Sequence, residues 1–282
     1  MRRAPSHRFR LCLATAVALL GTLVGSAATK NPTSKLYVAD LQGDAEIDTG
    51  ERLETLDEKS VYNAEGTVIQ TKAGSSNAMV FSNGTGIYFA PETRLEIRRF
   101  VQAPFAPNRI DLESEPSISQ THAFLPRGTV GLCTPRMVAG STMVYETPLG
   151  SLQIREGKVL IESSDYETRI SLVEGDLTLR VGEADAAGSL LRPGQQAIIR
   201  QQPGQPPEFI VQPIPESDRE PIDEQVAMAC MARRTVYFDV GDRQQETDEI
   251  ELIAVPVTPI ELPVEVVDEN TLSPSFIPNP KG

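Results

Sequence analysis

Three features of the sequence predict an all-β fold: turn signals at short intervals, a hairpin signature with alternating flanks, and no helical spacing between residues 36 and 200. Gln42-Gly43-Asp44, Asp48-Thr49-Gly50-Glu51, Asn63-Ala64-Glu65-Gly66, Ser82-Asn83-Gly84, Glu156-Gly157, Ser164-Asp165, Glu174-Gly175-Asp176 and Pro193-Gly194 punctuate segments of Val, Ile, Leu, Thr and Tyr. Many short strands joined by tight turns follow from that pattern. About 170 residues suffice for one substantial core.

The strongest element lies within residues 71–100. Two apolar runs flank Ser82-Asn83-Gly84-Thr85, and Asn-Gly between such runs supplies the positive-φ residues of a tight hairpin, so Asn83 and Gly84 are expected to form its structural turn. A second turn at Ala90-Pro91-Glu92 leads into Leu95, Ile97 and Phe100, set against Arg94, Glu96, Arg98 and Arg99. That alternation is a strand with one wet face. Residues 103–120, with Pro104, Pro107 and Pro116, read as a long surface excursion. Arg127-Gly128-Thr129-Val130-Gly131-Leu132-Cys133-Thr134-Pro135 then re-enters the sheet as a strand bounded by Gly and Pro.

The run from Thr71 through Gly74, Ser75 and Ala78, the Asn83-Gly84 turn, and Pro91-Glu92-Thr93-Arg94-Leu95-Glu96-Ile97 closely resembles the FecR domain family. Shorter pieces follow in the family's order: Gly43-Asp44-Ala45-Glu46-Ile47, Thr147-Pro148-Leu149-Gly150-Ser151, Glu174-Gly175-Asp176-Leu177 and Leu191-Arg192-Pro193-Gly194-Gln195-Gln196-Ala197. Together they cover roughly residues 36–200. The resemblance implies a rolled or solenoid-like sheet of FecR type. At Ile154-Arg155-Glu156-Gly157-Lys158-Val159 the chain departs from the family's usual Val-Arg-Gly-Thr, so no role tied to that turn is carried over.

The ends of the chain are of different material. Arg2, Arg3, Arg8 and Arg10 precede an apolar run that closes on Ser26-Ala27-Ala28, the pattern of a cleaved secretory signal over residues 1–28. The expected mature chain starts near Thr29, outside the cytoplasm, periplasmic or secreted, with no stable membrane insertion after cleavage. Cleavage lowers the 26 basic residues by four, to 22, against 39 acidic ones, a net charge of −17. A chain so acidic is not expected to bind nucleic acid.

The β domain is expected over residues 29–200, followed by an acidic, proline-rich region over 201–282 that holds 12 of the 22 prolines. Val255-Pro256-Val257-Thr258-Pro259 cannot sit inside a sheet, because proline lacks a ladder donor. An irregular tail is expected there, most mobile after about residue 255. One amphipathic helix is expected near residues 219–233. Ser217 would cap it, Pro221 would fall in its first turn, and Ile222, Val226 and Cys230 would share one side.

The sequence carries no recognisable catalytic set, cofactor site or metal site. His122 is the single histidine after residue 28, and a triad with Ser119 or Ser141 lacks a strained nucleophile turn. One histidine and two distant cysteines do not make a zinc site. Cys133 and Cys230 could bridge in an oxidising compartment, stapling the helix to the β domain. The alternative, two buried free thiols, is favoured by the small neighbours Val226, Ala227 and Ala229.

Two functions fit. The first is a non-enzymatic envelope protein whose partner is another envelope protein, met by sheet-edge pairing at Ile87, Tyr88 and Phe89 or at Glu96, Ile97 and Arg98. The resemblance implies the outer, sensing half of an anti-sigma regulator; the ten residues before the apolar run are too few for the inner half. The second is a secreted protein that binds or acts on polysaccharide, which requires an aromatic-rimmed cleft with paired carboxylates. The absence of Trp weighs against it.

Overall fold

The computed structural model of the protein describes residues 34–105, 113–182, 188–202, 204–205, 207–240 and 252–257. The expected signal segment and the chain beyond residue 257 lie outside the described residues. The described chain is all-β with a single helix. Its first half contains β1 (Lys35–Gln42), β2 (Ala45–Asp48), β3 (Leu53–Thr55), β4 (Val61–Asn63), β5 (Val68–Thr71), β6 (Ser76–Phe81), β7 (Gly86–Phe89) and β8 (Arg94–Gln102). Then come β9 (Ser119–Thr134), β10 (Thr142–Thr147), β11 (Gly150–Ser163), β12 (Glu167–Val181), β13 (Ser189–Leu191), β14 (Gln195–Arg200) and β15 (Glu208–Pro213). Helix α1 (Glu216–Ala232) and the strands β16 (Val236–Val240) and β17 (Leu252–Pro256) complete the described chain.

Strands β1 to β15 form one hydrogen-bonded sheet that rolls over on itself. Three long strands turn the corner. Residues 119–127 of β9 lie between β8 and β10, whereas residues 128–134 lie between β7 and β11. Strand β11 likewise passes from β10 to β9. Strand β12 stays beside β11 and exchanges β14 for β13 on its other edge. Two layers result. The first runs β13-β12-β11-β10-β9-β8-β5-β2-β3 and the second β15-β14-β12-β11-β9-β7-β6-β1-β4.

The bend needs glycine. Gly157 (φ +135) and Gly175 (φ +106) face each other across β11 and β12, where a Cβ on either would overlap the opposite strand's carbonyl at Glu174 or Glu156. Both positions were expected to be turns. Instead they are the hinge of a long hairpin, with register shifts between Ile154 and Glu156 and between Lys158 and Val159. Such bulges add twist and bend to a paired strand without ending it. The real turn between these strands is Ser164-Asp165, where the Ser164 hydroxyl donates to the Glu167 carbonyl at 3.0 Å.

Between the layers lies one contiguous core. Ile47, Ile69, Leu95, Tyr145 and Leu177 enter from the first layer, and Leu36, Met79, Phe81, Val130 and Ile170 from the second. Tyr145 is fully buried, and that burial pushes its phenol well above the ordinary tyrosine range.

The sheet does not end at residue 200, since β15 pairs with β14 from Glu208 to Pro213. Helix α1 starts at Glu216 with Pro215 before it, and no side chain caps it. Ser217, the expected cap, lies in the first turn and its hydroxyl donates to Asp218 Oδ1 at 2.8 Å. Pro215 in an extended conformation sets the start two positions earlier than a Ser217 cap allows, and Glu216 and Asp218 place negative charge at the positive end of the helix dipole. Pro221 therefore falls in the second turn.

The helix packs on the outside of the second layer. Ile222 and Val226 join Leu160 and Ile214, while Ala232 joins Tyr37, Val80, Val236 and Phe238. Glycine makes room for it: a Cβ on Gly86 would overlap the Ala229 carbonyl, and one on Gly131 would lie 2.8 Å from the Gln225 carbonyl oxygen. This approach brings Cys133 and Cys230 to a Cα separation of 5.1 Å, and they form a disulfide rather than two free thiols. Strands β16 and β17 make a separate two-stranded ribbon in which Pro256 sits opposite Val236 at its last pair. A terminal pair in a ribbon tolerates proline where a sheet interior does not.

Candidate interaction surface

The Asn83-Gly84 hairpin is built as a type I turn closed by a left-handed glycine. Gly84 N–H donates to the Phe81 carbonyl at 2.8 Å, Phe81 N–H donates to the Thr85 carbonyl at 2.9 Å, and Gly84 has φ +84. Asn83 was also expected at positive φ, but it stays outside that region and is buried. Its side chain explains the difference. Asn83 Oδ1 accepts from Thr85 N–H at 3.1 Å and Nδ2 donates to Ser119 Oγ at 3.3 Å. The Ser119 hydroxyl donates to Glu115 Oε2 at 2.7 Å, and Glu115 Oε1 accepts from Val138 N–H at 2.8 Å.

These groups form a polar plug beneath the hairpin. Burial pushes the Glu115 carboxyl above the ordinary range, against the hydrogen bonds from Ser141, Ser119 and Val138. Residues 103–120 were expected at the surface, yet Glu115 and Ser119 are buried. The base of the segment is pinned by Ala103 N–H to the Ile118 carbonyl at 2.8 Å and by the Ser117 hydroxyl to the Ala103 carbonyl at 2.7 Å.

A second polar staple uses the other residues of the sequence motif. Thr71 Oγ1 donates to the Ala90 carbonyl at 2.6 Å and accepts from Thr93 N–H at 2.9 Å. Thr93 Oγ1 donates to the Thr129 carbonyl at 3.1 Å and accepts from Thr129 N–H at 2.9 Å. Both clusters hold strands in register, so the motif residues act as scaffold.

The six residues expected to present pairing edges do not do so. Strand β7 lies between β6 and β9, and β8 between β5 and β9. Ile87, Phe89 and Ile97 are buried in the core, and Tyr88 packs against the cluster beneath β16. Strand β9 takes the edges of both β7 and β8, and so remote a pairing leaves no local signal. Glu96 and Arg98 do reach solvent, but through the outer face of the first layer. The strands at the ends of the two layers are β3, β13, β4 and β15, where Leu53, Leu190, Val61 and Val211 are exposed.

That outer face carries a connected group of side chains. The Arg98 guanidinium lies 4.2 Å from the centre of the Phe124 ring, with Nη1 2.8 Å from Glu146 Oε2. Arg94 Nη2 is 3.1 Å from Glu96 Oε1, and His122 Nε2 is 3.0 Å from Glu146 Oε1. His122 thus faces outward while Ser119 points into the plug, and the Ser119–His122 pair does not meet. The clefts beside the disulfide and beside Gly128 are lined by residues such as Arg136, Lys158, Glu174, Glu162 and Arg169, with no aromatic side chain. Among the described residues no three His, Cys, Asp or Glu side chains converge as metal ligands, and no helix is long and apolar enough to cross a membrane.

No family model and no curated protein matches the chain. Two crystal structures of a "putative anti-sigma factor" from Parabacteroides distasonis, at 2.50 and 1.65 Å, align with it at TM-scores of 0.40 and 0.39. Each alignment has 14% sequence identity and covers 54% of this chain and 62% of the other. The chain thus spans less than two thirds of the length of these neighbours.

Proposed function

We propose that the protein is an exported, FecR-like binding protein that recognises another envelope protein through the outer face of its first layer and performs no turnover. One observation carries this reading: the two outer faces of the roll are treated differently. The second layer is roofed by α1, β16 and β17 and locked by Cys133–Cys230. Among the described residues nothing roofs the first, where Phe124, Arg98 and Glu146 are already held in place. The disulfide suits an oxidising compartment, as does the basic, apolar start of the chain. Pre-arranged Arg and aromatic groups are the residues from which protein interfaces draw most of their energy.

The test is site-specific photo-crosslinking in cells that export the protein. A photo-reactive residue replaces Gln153 on the outer face in one variant and Ala227 on the helix in another. Crosslinking to a protein partner from position 153 and not from 227 is expected. Crosslinks from 227 alone, or from neither position, would overturn the reading. Edman sequencing of the same material is expected to begin near Thr29.

A further inference from the structure

The arginines of the first layer's outer face describe the partner more closely. Strands β8, β9 and β12 place Arg94, Arg98, Arg99, Arg127 and Arg180 on that face, all partly or fully exposed, and no lysine. Cross-strand pairing fixes their common side: Arg99 lies opposite His122, Arg127 opposite Arg94, and Arg180 opposite Ser151, which in turn lies opposite Glu146. Arg94 and Arg98 are engaged by Glu96 and Glu146. Arg99, Arg127 and Arg180 have no carboxylate partner among the described residues, in a chain with 39 acidic residues against 26 basic ones.

Their spacing excludes a small anion. Arg99 on β8 and Arg180 on β12 are four strands apart, roughly 19 Å at the usual strand separation. Arg127 lies five residues along β9 from the His122 pair, roughly 17 Å away. Three unpaired cations thus stand at the corners of a patch, around a centre of Phe124, Val144, Gln153 and Thr178. A linear polyanion wants a continuous cationic track, and here Glu96 and Glu146 interrupt the middle. A centre of one aromatic ring, uncharged side chains and charges already paired with each other, inside a rim of unpaired arginines, suits a protein surface better, and the arginine fork matches carboxylates in two-point contact.

We infer that this face docks a protein surface whose rim is acidic, with Asp or Glu side chains reaching Arg99, Arg127 and Arg180 around an apolar contact at Phe124. The net negative charge of the chain does not oppose this at contact, because at physiological salt charges are screened beyond about 8 Å. The inference rests on the protein-binding reading above.

The experiment repeats the crosslinking from position 153 with Arg99→Glu/Arg180→Glu in the same chain, its fold checked by circular dichroism. Crosslink yield is expected to fall about tenfold, and mass spectrometry of the wild-type crosslink should find the attachment site in an Asp/Glu-rich surface segment. Undiminished yield in the doubly reversed variant, or attachment in a basic or uncharged segment, overturns the acidic partner and leaves the protein-binding reading standing. Failure to crosslink any protein overturns both. Dextran sulfate is the polyanion probe: if it binds the wild type and loses that binding in the reversed variant, the face is a polyanion site and the inference falls. Glu220→Gln/Glu224→Gln on the helix should change none of these results.

Discussion

Strand β9 passes through both layers, and its two halves are patterned differently. From Ser119 to Leu125 buried and outward residues alternate, because one face meets the core and the other meets water. From Val130 to Thr134 every residue is buried, because α1 lies over the outer face. Strand β11 repeats the change, alternating at Leu152 and Ile154 and running continuously through Val159, Leu160 and Ile161. The hydrophobic period of a strand therefore reports its cover as well as its conformation. Where the period collapses, something lies on top. Where it survives, the outer face meets water.

That contrast can be broken from the covered side with the largest effect. Cys133→Ser removes a bridge spanning 97 residues of sequence. Loop-closure entropy puts the expected loss at about 5 kcal/mol, read from chemical denaturation without reductant, and the loss should vanish when both proteins are compared fully reduced. Next is Gly86→Val, whose side chain meets the Ala229 backbone. Helix α1 has to lift, costing about 3 kcal/mol. Amide exchange should speed up in α1 and in β16 while β2, β5 and β8 keep their protection. Equal loosening of both layers would show that the roof and the bare layer form one cooperative unit.

The hairpin at Ser82-Asn83-Gly84 was legible because its turn chemistry is local, and the helix because its four-residue spacing is local. What escaped the sequence was long-range. Gly157 and Gly175 read as turns since each sits in a polar, glycine-marked dipeptide, and only their mutual register makes them a hinge. The roles of Ile87 and Phe89 were misjudged for the same reason: β9 closes the edge of β7 from over 40 residues away. The disulfide depended on a helix approach that Gly86 and Gly131 permit, and a lone glycine in a strand hints at close backbone approach without naming the neighbour. The outward row of arginines is visible in Arg94, Arg98 and Arg99, but Arg127 and Arg180 join it only through pairing.

Acid–base behaviour separates a buried carboxylate from a half-buried one by sign. Glu115 in the plug has its carboxyl raised above the ordinary 4.5 by burial. Above pH 4.5 the native state keeps a proton that the unfolded chain has lost, so stability falls as pH rises through the native value, then levels off. Glu167 on β12 is shifted downward from 4.5, first by its hydrogen bond from Arg200. Its contribution is complete above pH 4.5 and is lost as pH falls through the lower native value. Glu115→Gln should flatten the decline on the alkaline side of pH 4.5, whereas Glu167→Gln should flatten the decline on the acid side. Denaturant midpoints measured from pH 3 to pH 8 check both, and matching slope changes for the two variants would contradict the assignment.

The smallest effect on stability is expected on the bare layer. Arg98 lies over Phe124 and pairs with Glu146 with its side chain 43% exposed. A cation–π contact and a surface ion pair at such exposure are together worth at most about 1 kcal/mol. Arg98→Ala should therefore shift the unfolding midpoint only slightly, by thermal or chemical denaturation. Under the proposed docking, crosslinking from position 153 should drop much more steeply, because the same side chain holds the Phe124 ring in place. This inequality is what distinguishes a face kept for binding from one kept for folding. If Arg98→Ala weakened the fold as much as Gly86→Val does, Arg98 would be structural and the outer face would lose its centre as a docking surface.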